Sequence, residues 1–204
     1  MLSSWLQNDF NLENVAAAVA FVRTQNIPDA VIFKALQDFH GVVGRMEYVR
    51  REPFAVIVDY AHTPESLEAV YKAAYDEGAH PLVCVLGSAG GGRDKWKRPK
   101  MGAVAAKFCN EIILTNEDPF DEPPMQILED IEKGIFGAAR EIQYEKILDR
   151  REAIAKAIAI AAPGDAVVLT GKGSEQSIRM AGGKKLPWNE RAVVEQILGV
   201  GTRN

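Results

Sequence analysis

An α/β fold of Rossmann-like build, a mostly parallel sheet flanked by helices with an antiparallel edge hairpin, is predicted by three features of this sequence. Short apolar runs, at 54–58, 82–86, 111–115 and 166–170, with a further short strand at 144–148, alternate with longer stretches whose apolar residues recur at helical spacing. Polar or glycine-rich segments follow those runs, as they do where a strand leaves a sheet and a helix begins. Near the C-terminus Gly182-Gly183 sits within 178–187 as a hairpin-type turn. With 47% hydrophobic and 25% charged residues, the 204-residue chain has an ordinary globular composition and enough apolar surface for a real core.

The elements follow in order. Residues 11–25 place Leu12, Val15, Ala16, Val19, Ala20 and Val22 at helical spacing, with Asn11 as N-cap. A second helix, 29–39, starts after Pro28 and gathers Ala30, Val31, Phe33, Leu36 and Phe39 on one side. Two helices cannot bury their apolar faces alone, so residues 1–43 are expected to be the end of a preceding domain, and residues 44–204 a domain of their own. The segment 41–45 (G-V-V-G-R) reads as the linker. The run 54–58 leads through Asp59-Tyr60-Ala61-His62-Thr63 into a helix at 64–77, with Pro64 in its first turn. The run 82–86 leads through a glycine-rich loop into a helix at 97–110, and 111–115 leads through an acidic loop into a helix at 125–139. Strand 144–148 and Asp149-Arg150-Arg151 precede a helix at 152–162. Strand 166–170 exits into Gly171-Lys172-Gly173-Ser174-Glu175, and after the hairpin a helix at 189–198 closes the chain.

The chemistry gathers in the loops that follow strands, the edge where ligands collect in open α/β sheets. The stretch 87–98 combines Gly87, Gly90, Gly91 and Gly92 with Arg93, Lys95, Lys97 and Arg98, which suits a phosphate or carboxylate at a helix N-terminus. The same residues also fit a flexible surface loop with solvated charges. The spacing matches neither G-x-x-x-x-G-K-[ST] nor G-x-G-x-x-G. Asp59, Tyr60 and His62 share one strand exit. Arg45, on local sequence, reads equally as a solvated linker charge. In 116–123, Glu117, Asp118, Asp121 and Glu122 fit either plain solvation or recognition of an ammonium group.

Composition also excludes. A net charge of −4 argues against nucleic acid as the main partner. No stretch approaches the roughly 18 consecutive apolar residues of a membrane span, and residues 1–10 lack the form of a signal peptide. Cys84 and Cys109, the two cysteines, suggest neither a disulfide framework nor a thiolate metal site, so a soluble protein of the reducing cytoplasm is expected.

Six motifs in succession resemble one family. They are G-R-M-E (44–47), D-Y-A-H-T-P-E (59–65), G-G-x-R-D-K-x-K-R-P (90–99), T-x-x-x-P (115–119), D-R (149–150) and G-K-G-x-E (171–175). Their order and spacing resemble the C-terminal domain of the Mur ligases, over about residue 41 to the C-terminus, and most of all the branch that adds the third amino acid of the peptidoglycan stem peptide. Residues 1–43 resemble the last helices of the family's central ATPase domain, including F-N-x-x-N at 10–14. The resemblance implies a reaction. ATP phosphorylates the terminal carboxylate of UDP-N-acetylmuramoyl-L-alanyl-D-glutamate, and the amine of the incoming amino acid attacks the acyl phosphate. It also implies roles: Arg45, Asp59, Tyr60 and His62 for the nucleotide, Arg93 for the carboxylate of the incoming amino acid, and Glu117, Asp118, Gly171 and Glu175 for its distal end. Lys95, Lys97 and Arg98 would stabilise developing negative charge.

The departures carry expectations of their own. The diaminopimelate-adding members carry D-N-P-R in the exit loop, where the Arg grips a distal carboxylate; here Glu117, Asp118, Pro119 and Phe120 stand in those places. L-lysine or another diamino acid ending in an ammonium is therefore favoured over meso-diaminopimelate. The glycine loop is one residue longer, and Ser174 replaces the usual His. The family's P-loop and Mg²⁺ ligands belong to the central domain and lie outside these residues, so the chain is expected to be a monomeric fragment, inactive alone, with no metal site and with 41–45 as a hinge. The alternatives are a D-alanyl-D-alanine-adding enzyme or a folylpolyglutamate synthetase, or a stand-alone Rossmann-like binding module.

Overall fold

The computed structural model describes residues 9–78, 80–92, 94–138 and 141–200, and the chain divides into two compact units, Met1–Val42 and Val43–Asn204. The first holds helices α1 (Asp9–Thr24) and α2 (Asp29–Gln37), joined across their turn by an exposed ion pair of 2.9 Å between Arg23 and Asp29. Asn11, expected to cap the first helix, lies inside α1. Between the helices runs an apolar groove of about 330 Å³ lined by residues such as Val15, Val19, Ile32 and Phe39. Phe21, Val31 and Phe33 are more than half exposed.

The second unit is built on a six-stranded sheet in the order β1-β2-β6-β3-β4-β5. Its strands are β1 (Glu47–Arg50), β2 (Ala55–Val58), β3 (Leu82–Leu86), β4 (Glu111–Leu114), β5 (Gln143–Lys146) and β6 (Ala166–Leu169). All pairings are parallel except that of β1 with β2. Every residue of β2, β3 and β6 is buried, which is why these strands read as unbroken apolar runs; a central parallel strand is covered on both faces.

The chirality of crossovers assigns those covers. From β2 the chain steps outward through α3 (Pro64–Asp76) to β3, through α4 (Lys97–Phe108) to β4 and through α5 (Pro124–Ile135) to β5, all on one face. The return from β5 to β6 reverses direction, so α6 (Arg150–Ile160) must lie on the opposite face. There Ala153, Ile154 and Ala157 of α6, with Val193 and Val194 of α7 (Glu190–Leu198), pack on Val56, Val58, Val83, Val85, Val167 and Leu169. Caps fix the helix starts: Thr63 and Ser66 form a capping box at α3, and Asp149 and Asn189 accept from Glu152 N and Ala192 N at 3.0 and 2.9 Å.

Two features differ from the sequence reading. The antiparallel edge of the main sheet is β1, whose E-Y-V-R sequence shows one aliphatic residue and whose pairing is interrupted by a register shift between Tyr48 and Arg50. The hairpin of β7 (Ser177–Arg179) and β8 (Lys185–Pro187) forms a separate two-stranded sheet instead. Second, Cys84 and Cys109, both fully buried, are joined as a disulfide from the middle of β3 to the end of α4. The expectation of no disulfide fails because the pairing depends on α4 lying back across its own strand, which two isolated cysteines do not announce.

Candidate functional site

Parallel strands put all their exits at one edge, so the loops after β2, β3, β4 and β6 meet there. The loop after β2 is tied down by Asp59. Its buried carboxylate accepts from Met46 N and from Ala61 N, each at 2.7 Å, so one side chain joins residues 44–46 to the strand exit. Burial raises the Asp59 pKa, opposed by the two backbone donors and by Arg45 and His62. Gly44 donates to Glu47 Oε2 at 2.8 Å, and at its φ of +69° a side chain would run into the backbone of Gly173 and Ser174. The expected hinge segment therefore belongs, from Val43 onward, to the second unit.

Above this anchor the exposed Arg45 guanidinium lies over the Tyr60 ring, 4.7 Å from its centroid, and His62 meets the same ring edge-on at 4.8 Å. His62 Nδ1 is 3.0 Å from the Tyr60 carbonyl, which sets the ring's orientation. The three residues form a small aromatic and cationic shelf, a surface suited to a planar, anionic ligand.

The glycine-rich loop is held from outside. Glu122 accepts from Gly92 N and pairs with Lys95 at 3.2 Å and Arg98 at 3.0 Å. Its bond from Arg98, with those from Gly92 and Lys95, holds its carboxyl far down, at about 2. Arg98 is fully buried, also pairs with Asp130 of α5 at 3.1 Å and donates to the Ala89 carbonyl at 3.1 Å. Of the three cations expected to act on developing charge, Arg98 is thus spent on fixing the loop, Lys95 reaches Glu122, and Lys97 is buried and lowers the Glu117 pKa. Arg93, expected to grip the amino acid's carboxylate, lies outside the described residues.

The acidic and G-K-G-x-E loops interlock. Lys172, with no side-chain exposure, reaches Asp118 Oδ1 at 2.8 Å and Glu175 Oε2 at 2.6 Å. Asp118 Oδ1 also accepts from Arg179 N at 2.8 Å. Glu117 is buried, and among the described residues its Oε2 has no hydrogen-bond partner. Burial raises its pKa against the pull of Arg150, Lys172, His62 and Lys97. Gly171, at φ +100°, passes so close that a Cβ would come within 2.6 Å of Glu117 Oε2. Behind both loops the buried Arg150 donates to the Asn116 and Thr170 carbonyls at 3.0 and 2.8 Å and forks onto Glu190, which also accepts from Trp188. Phe120, at φ +50°, packs near Gly91 and donates its N–H to the Arg179 carbonyl at 3.1 Å.

The structure therefore brings Asp59, Tyr60, His62, Glu117, Gly171 and Glu175 to one edge. Asp118 is engaged internally, by Lys172 and by the Arg179 backbone N–H. Lys172, Arg150 and Glu190 had received no role from the sequence. A lysine between two glycines, two residues from a strand end and opposite an acidic loop, was the available signal for the first. Among the described residues no three His, Cys, Asp or Glu side chains group as metal ligands, and no helix is long and apolar enough to cross a membrane.

Residues 44–173, more than half of the chain, match the family model described as Mur ligase, glutamate ligase domain. The chain is 44% identical over 193 residues to the UDP-N-acetylmuramoyl-L-alanyl-D-glutamate--2,6-diaminopimelate ligase of Thermosynechococcus vestitus, covering 93% of this chain and 38% of that protein. It is 42% identical over 202 residues to the ligase of the same name in Aquifex aeolicus, covering 97% and 40%. A solved structure of a ligase so named superposes with a TM-score of 0.72 at 32% identity, over 98% of this chain and 39% of the other. A folylpolyglutamate synthase of Thermotoga maritima shares the fold alone, at TM-score 0.56 and 20% identity over 80% of this chain and 36% of that one. The chain thus spans about 40% of the length of the curated relatives it matches.

Proposed function

This chain belongs to the Mur ligase family, and on that premise we propose that it is the amino-acid-binding and nucleotide-closing part of an ATP-dependent, cytoplasmic amide ligase. That ligase adds a diamino acid to UDP-N-acetylmuramoyl-L-alanyl-D-glutamate through an acyl phosphate. The observation that carries this reading is the convergence, at one sheet edge, of the Arg45, Tyr60 and His62 shelf with the loops bearing Glu117, Gly171 and Glu175. ATP suits the shelf: aromatic faces for a base and a guanidinium for phosphate. Mg²⁺ and the phosphate cradle belong, in this reading, to a central domain of which residues 1–43 are the end, so the chain alone does not ligate.

L-Lysine is the favoured amino acid. Phe120 occupies the place where a distal carboxylate would need a cation, while Glu175, about one third exposed, is the acid left open to a ligand's ammonium. A second reading, meso-diaminopimelate, is favoured by the relatives' names and by one contact. The exposed Arg179, clamped to Phe120 and Asp118 through its backbone, has no ion pair among the described residues and stands beside the vacated arginine position.

Calorimetric titration of the chain with L-lysine, meso-diaminopimelate and ATP, repeated with R93A and R179A, separates these. Lysine binding lost in R93A supports the first reading. Diaminopimelate binding lost in R179A replaces it with the second.

A further inference from the structure

Two carboxylates, Asp118 and Glu175, pair with one fully buried ammonium, that of Lys172, which also lowers the Glu117 pKa against the effect of burial. The contacts are unequal. Lys172 Nζ takes one oxygen of Asp118 and one of Glu175, at 2.8 and 2.6 Å. Asp118 cannot yield, because the same oxygen holds Arg179 N and its own carbonyl accepts from Gly90 N at 2.7 Å, fixing it to the hairpin and to the glycine loop. Glu175 is the movable partner: its side chain is 36% exposed, and its backbone N–H closes a turn onto the Lys172 carbonyl at 2.8 Å. Lys172 thus transmits the fixed position of the β4 exit to a glutamate that would otherwise sample several rotamers at the sheet edge.

We propose that Lys172 is a positioning residue for ligand recognition: it pins Glu175 Oε2 to the rigid Asp118 and leaves Oε1 as the acceptor for the ligand's distal ammonium. This rests on the reading that Glu175 receives that ammonium.

The test compares wild type, E175Q, K172M and K172A by calorimetry with L-lysine and meso-diaminopimelate, with ATP titrated in parallel. A hydrogen bond to a charged group corresponds to roughly 10–100-fold in affinity, so E175Q and K172M are each expected to weaken amino-acid binding by about that factor and to leave ATP affinity within about threefold. Propylammonium, which supplies the atoms removed in K172A, is expected to restore amino-acid binding in that variant and to leave wild type unchanged. E175Q binding as tightly as wild type, or a wild type that takes neither amino acid, overturns the reading of Glu175. E175Q weakened with K172M unaffected overturns the positioning role, as does equal loss of ATP and amino-acid affinity in K172M. Should K172M fail to fold, K172A folded in propylammonium carries the test, and a failure of amino-acid affinity to fall as the amine is removed overturns the proposal.

Discussion

Replacing Arg150 by Met should be among the most destabilising changes available in the second unit. Arg150 and Glu190 have no side-chain exposure, the guanidinium Nε lies 3.0 and 3.1 Å from the two carboxylate oxygens, and Nη1 and Nη2 satisfy the carbonyls of Asn116 and Thr170. Removing one partner of a buried pair leaves an uncompensated charge, at a cost of about 3–5 kcal/mol. Each carbonyl that loses its donor adds about 1 kcal/mol. The total, about 5 kcal/mol or more, corresponds to a fall in melting temperature of roughly 10–20 °C for a domain of this size. Urea unfolding followed by far-ultraviolet circular dichroism measures it, with E190L and the double variant completing a cycle. The double variant should cost far less than the sum of the singles, because no charge is then stranded. A loss below about 1 kcal/mol in R150M, or singles that add within about 0.5 kcal/mol, would refute the assignment of Arg150 as the tie between the two loops.

Gly134→Ala should cost about 2–3 kcal/mol, since a Cβ there would meet the Pro99 carbonyl and come within 2.7 Å of Ala103 N where α5 lies on α4; thermal melting checks it. Glu122 offers a pH signature. Its folded pKa, about 2, lies below its ordinary 4.5, so its stabilisation is present above about 4.5 and is lost as pH falls toward 2. The stability gap between wild type and E122Q should therefore be constant from pH 7 to 5 and shrink below; a gap that widens on acidification would sink the idea. Reduction of the Cys84–Cys109 bond, which closes a sequence separation of 25, should lower stability by about 3.5 kcal/mol on the chain-entropy account. Unfolding with and without reductant, paired with thiol counting, tests this.

Much of the fold was legible because its signals are local. The runs at β2, β3, β4 and β6 are apolar wherever they are buried on both faces, whereas the capping residues Thr63, Asp149 and Asn189 were not singled out and Asn11, expected as a cap, lies inside α1. β1 escaped because an edge strand with half-exposed residues carries no period. In the site, the motifs located the loops but not the fate of their charges. Arg98 and Asp118 look like ligand-facing residues in sequence; their partners Asp130 and Lys172 stand 32 and 54 positions away, and only the folded chain decides that those bonds are internal. Buried ion pairs of this kind leave no spacing signature, whereas strand runs do.

The disulfide also changes what a single break in the chain can accomplish. The glycine-rich loop, with Gly91, Gly92, Asp94, Lys95 and Trp96 at the surface, lies wholly inside the covalent ring that Cys84 and Cys109 close. A protease that nicks this loop opens the ring without parting the molecule. The cut halves remain one species on a denaturing gel until reductant is added, and in the native protein the freed ends stay tethered on one side to the middle of β3 and on the other to the end of α4.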